Sequence, residues 1–381
     1  MKQDPLYITR IEEYEEKILL KTVEDIFQNW QLDSKIGRGD DVLLKVNLLR
    51  GADPEEAVTT HPELAAAVAR AVKDCGGRAI LGDSPGGPFN QTLLKRAYRQ
   101  SGYLPGEEKG LYELNYNTED YCLEIPDGYR AKSLPVGEYI KQADYIINLP
   151  KLKTHGLTRY TGAVKNMFGA VAGLKKAEYH LNFPDAREMS HLFLDIYQAL
   201  SPDLNILDGI TGMEGAGPGS GTPKNFGVIA ASTGIELDLV ITYLLVAGEN
   251  FWQEPLPAAC RERGIEFSFA DYQVPEWLEK ELNQASIPDI ENSRALLSEN
   301  WPGFIHSLIN KLLRPRPEFI EENCVACGKC RQNCPPEVIT IEAGKAQADL
   351  SGCIRCFCCQ EICPYNAIEI NRPFLGRLFF T

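Results

Sequence analysis

The sequence predicts an α/β domain with a mostly parallel, doubly wound sheet, followed by a small cysteine-rich α+β domain. Three observations carry this expectation. Short apolar runs alternate with helix-patterned segments up to about residue 270. Nine of the twelve cysteines fall between Cys324 and Cys363. Within that stretch the chain repeats itself with a period of 29, Cys324 falling on Cys353.

The expected strands are 42–48 (VLLKVNL), 78–84 (RAILGDS), Tyr145–Leu149, 204–210 (LNILDGI) and 226–232 (FGVIAAS). Continuous apolar runs bounded by turn residues suit a parallel sheet covered on both faces. Helices are expected at 61–75, 90–103, 189–200 and 234–247. The first has Thr60 or His61 as cap, Pro62 in the first turn and Gly76-Gly77 at its exit, the usual helix punctuation. Strand–helix alternation implies the α/β class. The domain limits follow as 1–283 for the α/β part, 284–322 for a linker, 323–371 for the cysteine-rich part and 372–381 for a tail. The linker holds an apolar helical patch at 301–313 and Arg-Pro-Arg-Pro at 314–317; prolines so spaced do not continue a helix.

A net charge of −14 argues against nucleic acid as a partner, because phosphate binding needs a basic face. The opening MKQDPLYITRIEEYEEK has no apolar leader core. The most apolar run, 237–247, is too short for a bilayer. No transmembrane segment and a cytoplasmic location are therefore expected. In that setting twelve cysteines point to metal or redox chemistry before disulfides. Cys75, Cys122 and Cys260 stand apart and are expected to be inert.

Each half of the repeat reads C-x2-C-x2-C-x3-C-P. The tight loop wraps three corners of an iron–sulfur cubane, and in two-cluster proteins the fourth cysteine serves the other cluster. Cys324, Cys327, Cys330 and Cys363 are assigned to one [4Fe–4S] cluster; Cys353, Cys356, Cys359 and Cys334 are assigned to the second. Zinc sites use separated cysteine pairs instead. Cys358, between two ligands, is expected to be a packed thiol, with an alternate ligand or a thiol that tunes the cluster by hydrogen bonding as the other reading. Residues 324–370 thus resemble a bacterial two-[4Fe–4S] ferredoxin, which implies a ferredoxin-like fold and one-electron transfer.

From residue 145 to 177 there is no acid, while Lys151, Lys153, Arg159, Lys165, Lys175 and Lys176 are basic. This run follows a strand, where open α/β sheets bind ligands. Lys151, Lys153 and His155 are expected to hold an anionic ligand and to supply catalytic groups, with Lys165 and Asn166 as further donors. The alternative is a basic surface that docks the acidic ferredoxin-like part. Lys45, Asn47, Asp83, Ser84 and Asp208 also sit at strand ends, where they would ring one crevice. Residues 209–221 hold six glycines and are expected to be a lid or loop, with Lys224 able to close on an anion.

KVNL, HPEL, GDSPGG, NLPKLKTHGLTRYTGAVKNMFG and LDGITGMEGAGP together resemble the domain-of-unknown-function family 362 over most of residues 40–250. The resemblance implies an iron–sulfur protein of anaerobic metabolism and carries over no catalytic residue. The expected function is a ferredoxin-linked oxidoreductase whose clusters relay electrons to or from a small anionic substrate or cofactor, together with a redox partner protein. A non-enzymatic electron-transfer or maturation partner and a redox sensor are the alternatives.

Overall fold

The computed structural model describes residues 5–183, 185–288 and 315–371. The expected helix at 301–313 and the apolar stretch at 374–380 lie outside the described residues.

The helix Pro62–Asp74 shows how the elements form. His61 caps it by accepting from the Glu63 N–H, Pro62 opens it, and Gly76 at φ +98° ends it. The chain then enters a strand. The strands of the large domain are β1 (Tyr7–Arg10), β2 (Asp41–Val46), β3 (Arg78–Gly82), β4 (Glu113–Leu114), β5 (Asp120–Glu124), β6 (Ser133–Gly137), β7 (Tyr145–Leu149), β8 (Lys151–His155), β9 (Arg159–Thr161), β10 (Leu204–Glu214) and β11 (Thr222–Ser232). Nine of these form one sheet in the order β1-β11-β10-β7-β2-β3-β4, with β8 beside β10 and paired to β9. The run β10-β7-β2-β3-β4 is parallel; β1, β9 and β11 pair antiparallel. The sheet is therefore mixed and mostly parallel. β5 and β6 make a separate ribbon.

Successive strand residues enter different cores, as a pleated strand requires. Leu43, Ile146, Leu207 and Val228 join one cluster, with the helices Ala186–Leu200 and Glu236–Leu245. Val42, Leu44, Ile147, Ile206 and Ile229 join another, with the helices Glu16–Asn29 and Pro62–Asp74. A fully buried aliphatic side chain contributes roughly 1.5–3 kcal/mol, so each strand stabilises both layers.

Two expectations need correction. The glycine-rich 209–221 segment is a loop only over 215–221: β10 runs to Glu214 and pairs with β11, bulging between Gly209 and Thr211. Small residues at a bulge let the ladder continue through a bend. Lys224 pairs with Glu214 at 3.2 Å over the Phe226 ring, so its charge is already met.

In the cysteine-rich part the strands are β12 (Arg316–Phe319), β13 (Ile339–Glu342), β14 (Lys345–Ala348) and β15 (Ile368–Asn371). The 29-residue shift maps β12 onto β14 and β13 onto β15. Each strand pairs with the other half: β12 with β15, and β13 with β14. The fourth cysteine of each half, Cys334 or Cys363, precedes the strand that crosses over. The duplication is thus an exchange of strands between the halves.

Candidate functional site between the sheet and the cysteine-rich module

Two small cavities lie in the module. One is lined by Cys324, Cys327, Cys330 and Cys363, with Phe319, Ile341 and Ile368 around them. The other is lined by Cys334, Cys353, Cys356 and Cys359, with Val338, Ile339 and Phe357. Among the described residues no three His, Cys, Asp or Glu side chains converge on a single ion. Four thiols spaced round an apolar cavity fit a multi-iron cage, whose corners lie apart, better than one tetrahedral zinc with 2.3 Å bonds. Backbone N–H groups of Ala346, Arg355 and Ala367 donate to the sulfurs of Cys324, Cys353 and Cys363 at 3.3–3.4 Å, which favours sulfur carrying negative charge. Burial holds the Cys330 thiol up at about 11, so a cluster bound there would have to supply the positive charge that favours its thiolate.

On the sheet side, the carboxyl ends of β2, β3 and β7 align, Lys45 opposite Gly82 and Asn148. The polar residues just beyond are buried together. Lys45 Nζ lies 2.8 Å from Asp83 Oδ1, both out of solvent. Asp83 also accepts from the N–H groups of Leu48 and Ser84, each at 2.7 Å. Gly169 lets the chain pass over this pair, since a β-carbon there would meet Asp83 Oδ1 at 2.4 Å. Asn166 donates to Asn148 and accepts from Asn47, which ties the three strand ends into one network.

The basic run divides in three. Lys151 is buried against Asp208 at 2.9 Å, with Tyr14 beside it, and does not reach the ligand-sized cavity described below. Lys153 donates to Asn47 Oδ1 at 2.7 Å and to the Val58 carbonyl at 2.8 Å, and no carboxylate pairs with it among the described residues. Burial, with Lys165 and Lys151 adding to it, pushes its ammonium well below the usual range. Lys165 makes no hydrogen bond or ion pair among the described residues and lies 5.7 Å over the Phe193 ring.

Between the two domains lies a cavity of about 110 Å³. Asn47, Asp83, Ser84, Lys153, Lys165 and Asn166, all anticipated from the sequence, line it. Lys45 stands behind Asp83. The module closes the cavity with Asn333, Cys358, Glu361 and Ile362. It is seated there by Gln360, which donates to the Ala216 carbonyl at 3.1 Å, and by Gly219, which lies against the Glu361 backbone.

His155 occupies a different place from the one expected of a proton donor. It does not line the cavity. Its Nδ1 accepts from the N–H groups of Leu157 and Thr158, so the neutral ring carries its proton on Nε2. That nitrogen faces Glu361 Oε1 at 3.3 Å, within ion-pair range but without hydrogen-bond alignment. Burial lowers His155 to about 4. Burial alone would raise Glu361, but His155, Lys165 and His180 bring it down to about 2. Two cavity residues carried no role in the sequence. His180 is lowered to about 4 by burial, and its Nδ1 is without a partner. Lys176 donates to the Ser84 carbonyl at 2.7 Å and its hydroxyl at 2.9 Å, and burial lowers it to about 7. Only its place in the basic run hinted at Lys176; nothing marked His180, because the partners that bury it are distant in sequence.

A family model described as Domain of unknown function (DUF362) matches residues 42–242. The chain belongs to this family. A second model, 4Fe-4S dicluster domain, matches residues 316–364. This DUF362 chain is thus an iron–sulfur protein with an electron-transfer module. It is 36% identical over 298 residues to Thylakoid-associated protein sll1697 of Synechocystis sp., covering 77% of this chain and 86% of that one. Among solved structures, a Thermotoga maritima protein from structural genomics aligns over 66% of this chain and 60% of its own, at TM-score 0.37 and 9% identity. The lactate racemase apoprotein of Thermoanaerobacterium thermosaccharolyticum aligns over 61% and 55%, at TM-score 0.36 and 10% identity. Likeness at those scores carries no argument here. Among the described residues no helix is long and apolar enough to cross a membrane.

Proposed function

We propose that this protein relays electrons through two [4Fe–4S] clusters to or from a small anionic substrate or cofactor held in the interdomain cavity. Cys324, Cys327, Cys330 and Cys363 would hold one cluster; Cys353, Cys356, Cys359 and Cys334 would hold the other. The clusters supply single electrons, and the chain supplies position and charge. One observation carries the reading: Cys358, flanked by Cys356 and Cys359, lines the same cavity as Lys153 and Lys165. A ligand there would lie beside the loop whose cysteines would hold the second cluster.

Lys165 and Lys153 provide the positive field for the anion. Lys176 replaces His155 as the proton donor, because it lines the cavity and its lowered ammonium loses a proton readily near neutral pH. The other cavity opens outward. Val325 and Tyr365 on its rim are 55% and 47% exposed and Cys327 is exposed, which suits electron exchange with a redox partner protein. Helices in two cores favour a doubly wound α/β domain. Eight cysteines kept as thiolates for iron favour a reducing compartment such as the cytoplasm.

Anaerobic, dithionite-reduced protein tests the proposal. A small anion that accepts electrons will speed cluster reoxidation, and Lys165→Met will slow it. No acceleration by any small anion across a broad panel overturns the reading.

A further inference from the structure

The cavity carries more chemical detail than its charge. It is small: about 110 Å³ is of the order of a cavity that takes one benzene-sized molecule. That is well below a mononucleotide. Its lining includes polar groups whose partners are not met. Lys165 Nζ has no hydrogen-bond or ion-pair partner among the described residues. Thr161 Oγ1 and His180 Nδ1 are buried without a partner, in residues 3% and 6% exposed. Buried polar atoms normally have partners, and leaving one unmet is costly.

The remaining lysines are already engaged. Lys153 is held by Asn47 and Val58, Lys176 by Ser84, and Lys45 by Asp83. The Glu361 carboxyl, also in the lining, opposes a second negative charge on the ligand. Leu48, Phe168, Leu174, Pro218 and Ile362 make much of the rest apolar.

We propose that the cavity binds a short-chain monocarboxylate, its carboxylate on Lys165 with Thr161 and His180 as hydrogen-bond partners and its hydrocarbon body against the apolar wall. Lys153 and Lys165 against the Glu361 carboxylate leave one net positive charge in the lining, which with the unmet Thr161 and His180 atoms matches a single carboxylate. A phosphate dianion would bring a second charge that this balance does not meet.

This deepens the reading of the cavity as the substrate site and rests on it. The test is equilibrium dialysis of oxidised, cluster-loaded protein with radiolabelled butanoate, competed by inorganic phosphate, propylamine and adenosine monophosphate. Expected is one saturable site per chain that none of the three competitors empties. Lys165→Met should weaken it roughly ten- to a hundredfold, the loss of one charge-assisted hydrogen bond, while Lys165→Arg retains most of the affinity. Cluster absorbance and melting of Lys165→Met report whether it folds. If it does not, Thr161→Val carries the same test with a smaller loss. Unchanged butanoate affinity in the folded variant, or displacement by the nucleotide or phosphate, overturns the proposal. No electron donor is present, so a saturable site without anion-dependent reoxidation would sink the electron-relay reading and leave this one standing.

Discussion

Replacing Gly219 with alanine would place a methyl carbon 2.4 Å from the Glu361 carbonyl oxygen, 3.3 Å from its carbon and 3.4 Å from Leu49 Cδ2. Gly219 does not have a left-handed φ, so alanine is compatible with the backbone and only space opposes it. Ordinary contact begins near 3.4 Å, so the two backbones must part by about 1 Å. The neighbour is main chain in the segment that seats the module, and a rotamer change does not relieve the clash. Overpacking of this kind costs about 1–3 kcal/mol. For a chain this long that lowers the melting midpoint by roughly 1–4 °C. The Glu361 contact with His155, at 3.3 Å, would open beyond ion-pair range. Gly37→Ala is the control, since its new carbon meets nothing closer than 3.9 Å. The assay is thermal unfolding of cluster-loaded protein, with reoxidation of the reduced clusters measured in parallel. If Gly219→Ala melts and reoxidises like the control, the module does not sit on this loop and the cavity between the domains is not a site.

Three further outcomes are expected. Asp83→Asn leaves Lys45 buried without its counter-ion and sets an amide against two N–H donors, so it should cost about 3–5 kcal/mol; Asp83→Leu with Lys45→Met should cost less, and chemical denaturation compares them. Serine variants of the cluster cysteines should sort spectroscopically into Cys324 with Cys363 and Cys353 with Cys334; sorting by sequence half would refute the exchanged ligand sets. Stability should fall on acidification from about pH 6.5 toward 4. The unfolded chain protonates His155 and His180 near 6.5, but the folded chain holds them neutral down to about 4, so the unfolded state takes up more protons in that window. The loss is on the order of 3 kcal/mol per histidine, and denaturation midpoints at pH 7, 6 and 5 measure it.

The strands were legible because buried parallel strands leave continuous apolar runs; Tyr145–Leu149 falls where the sequence placed it. The cysteine spacing carried the ligand sets as an expectation because three ligands share one loop. Partners far apart in the chain left no trace. Lys151 and Asp208, 57 residues apart, looked like two free charges and are one buried pair, which removes Lys151 from the ligand's reach. Lys153 and Lys165 looked alike in the basic run, yet only Lys165 is without a hydrogen-bond or ion-pair partner. β8 was missed because its alternating Lys-Leu-Lys suggests an exposed edge, whereas here both lysines are buried under polar caps. The basic run was offered as ligand site or docking face. Lys165 lines the cavity beneath the module and His155 faces Glu361, so the run contributes to the cavity wall and to the seat of the module.

The crossing of strands in the module has a cost in robustness. β15 belongs to the second half yet completes the first, and β13 does the reverse. Neither half is a free-standing unit that outlives its twin. If each cysteine set holds an iron cage as proposed, oxidative loss of one would loosen a strand on which the other leans, and damage would propagate across the duplication. A chain clipped between β13 and β14 would still have to keep both fragments interlaced to retain any colour.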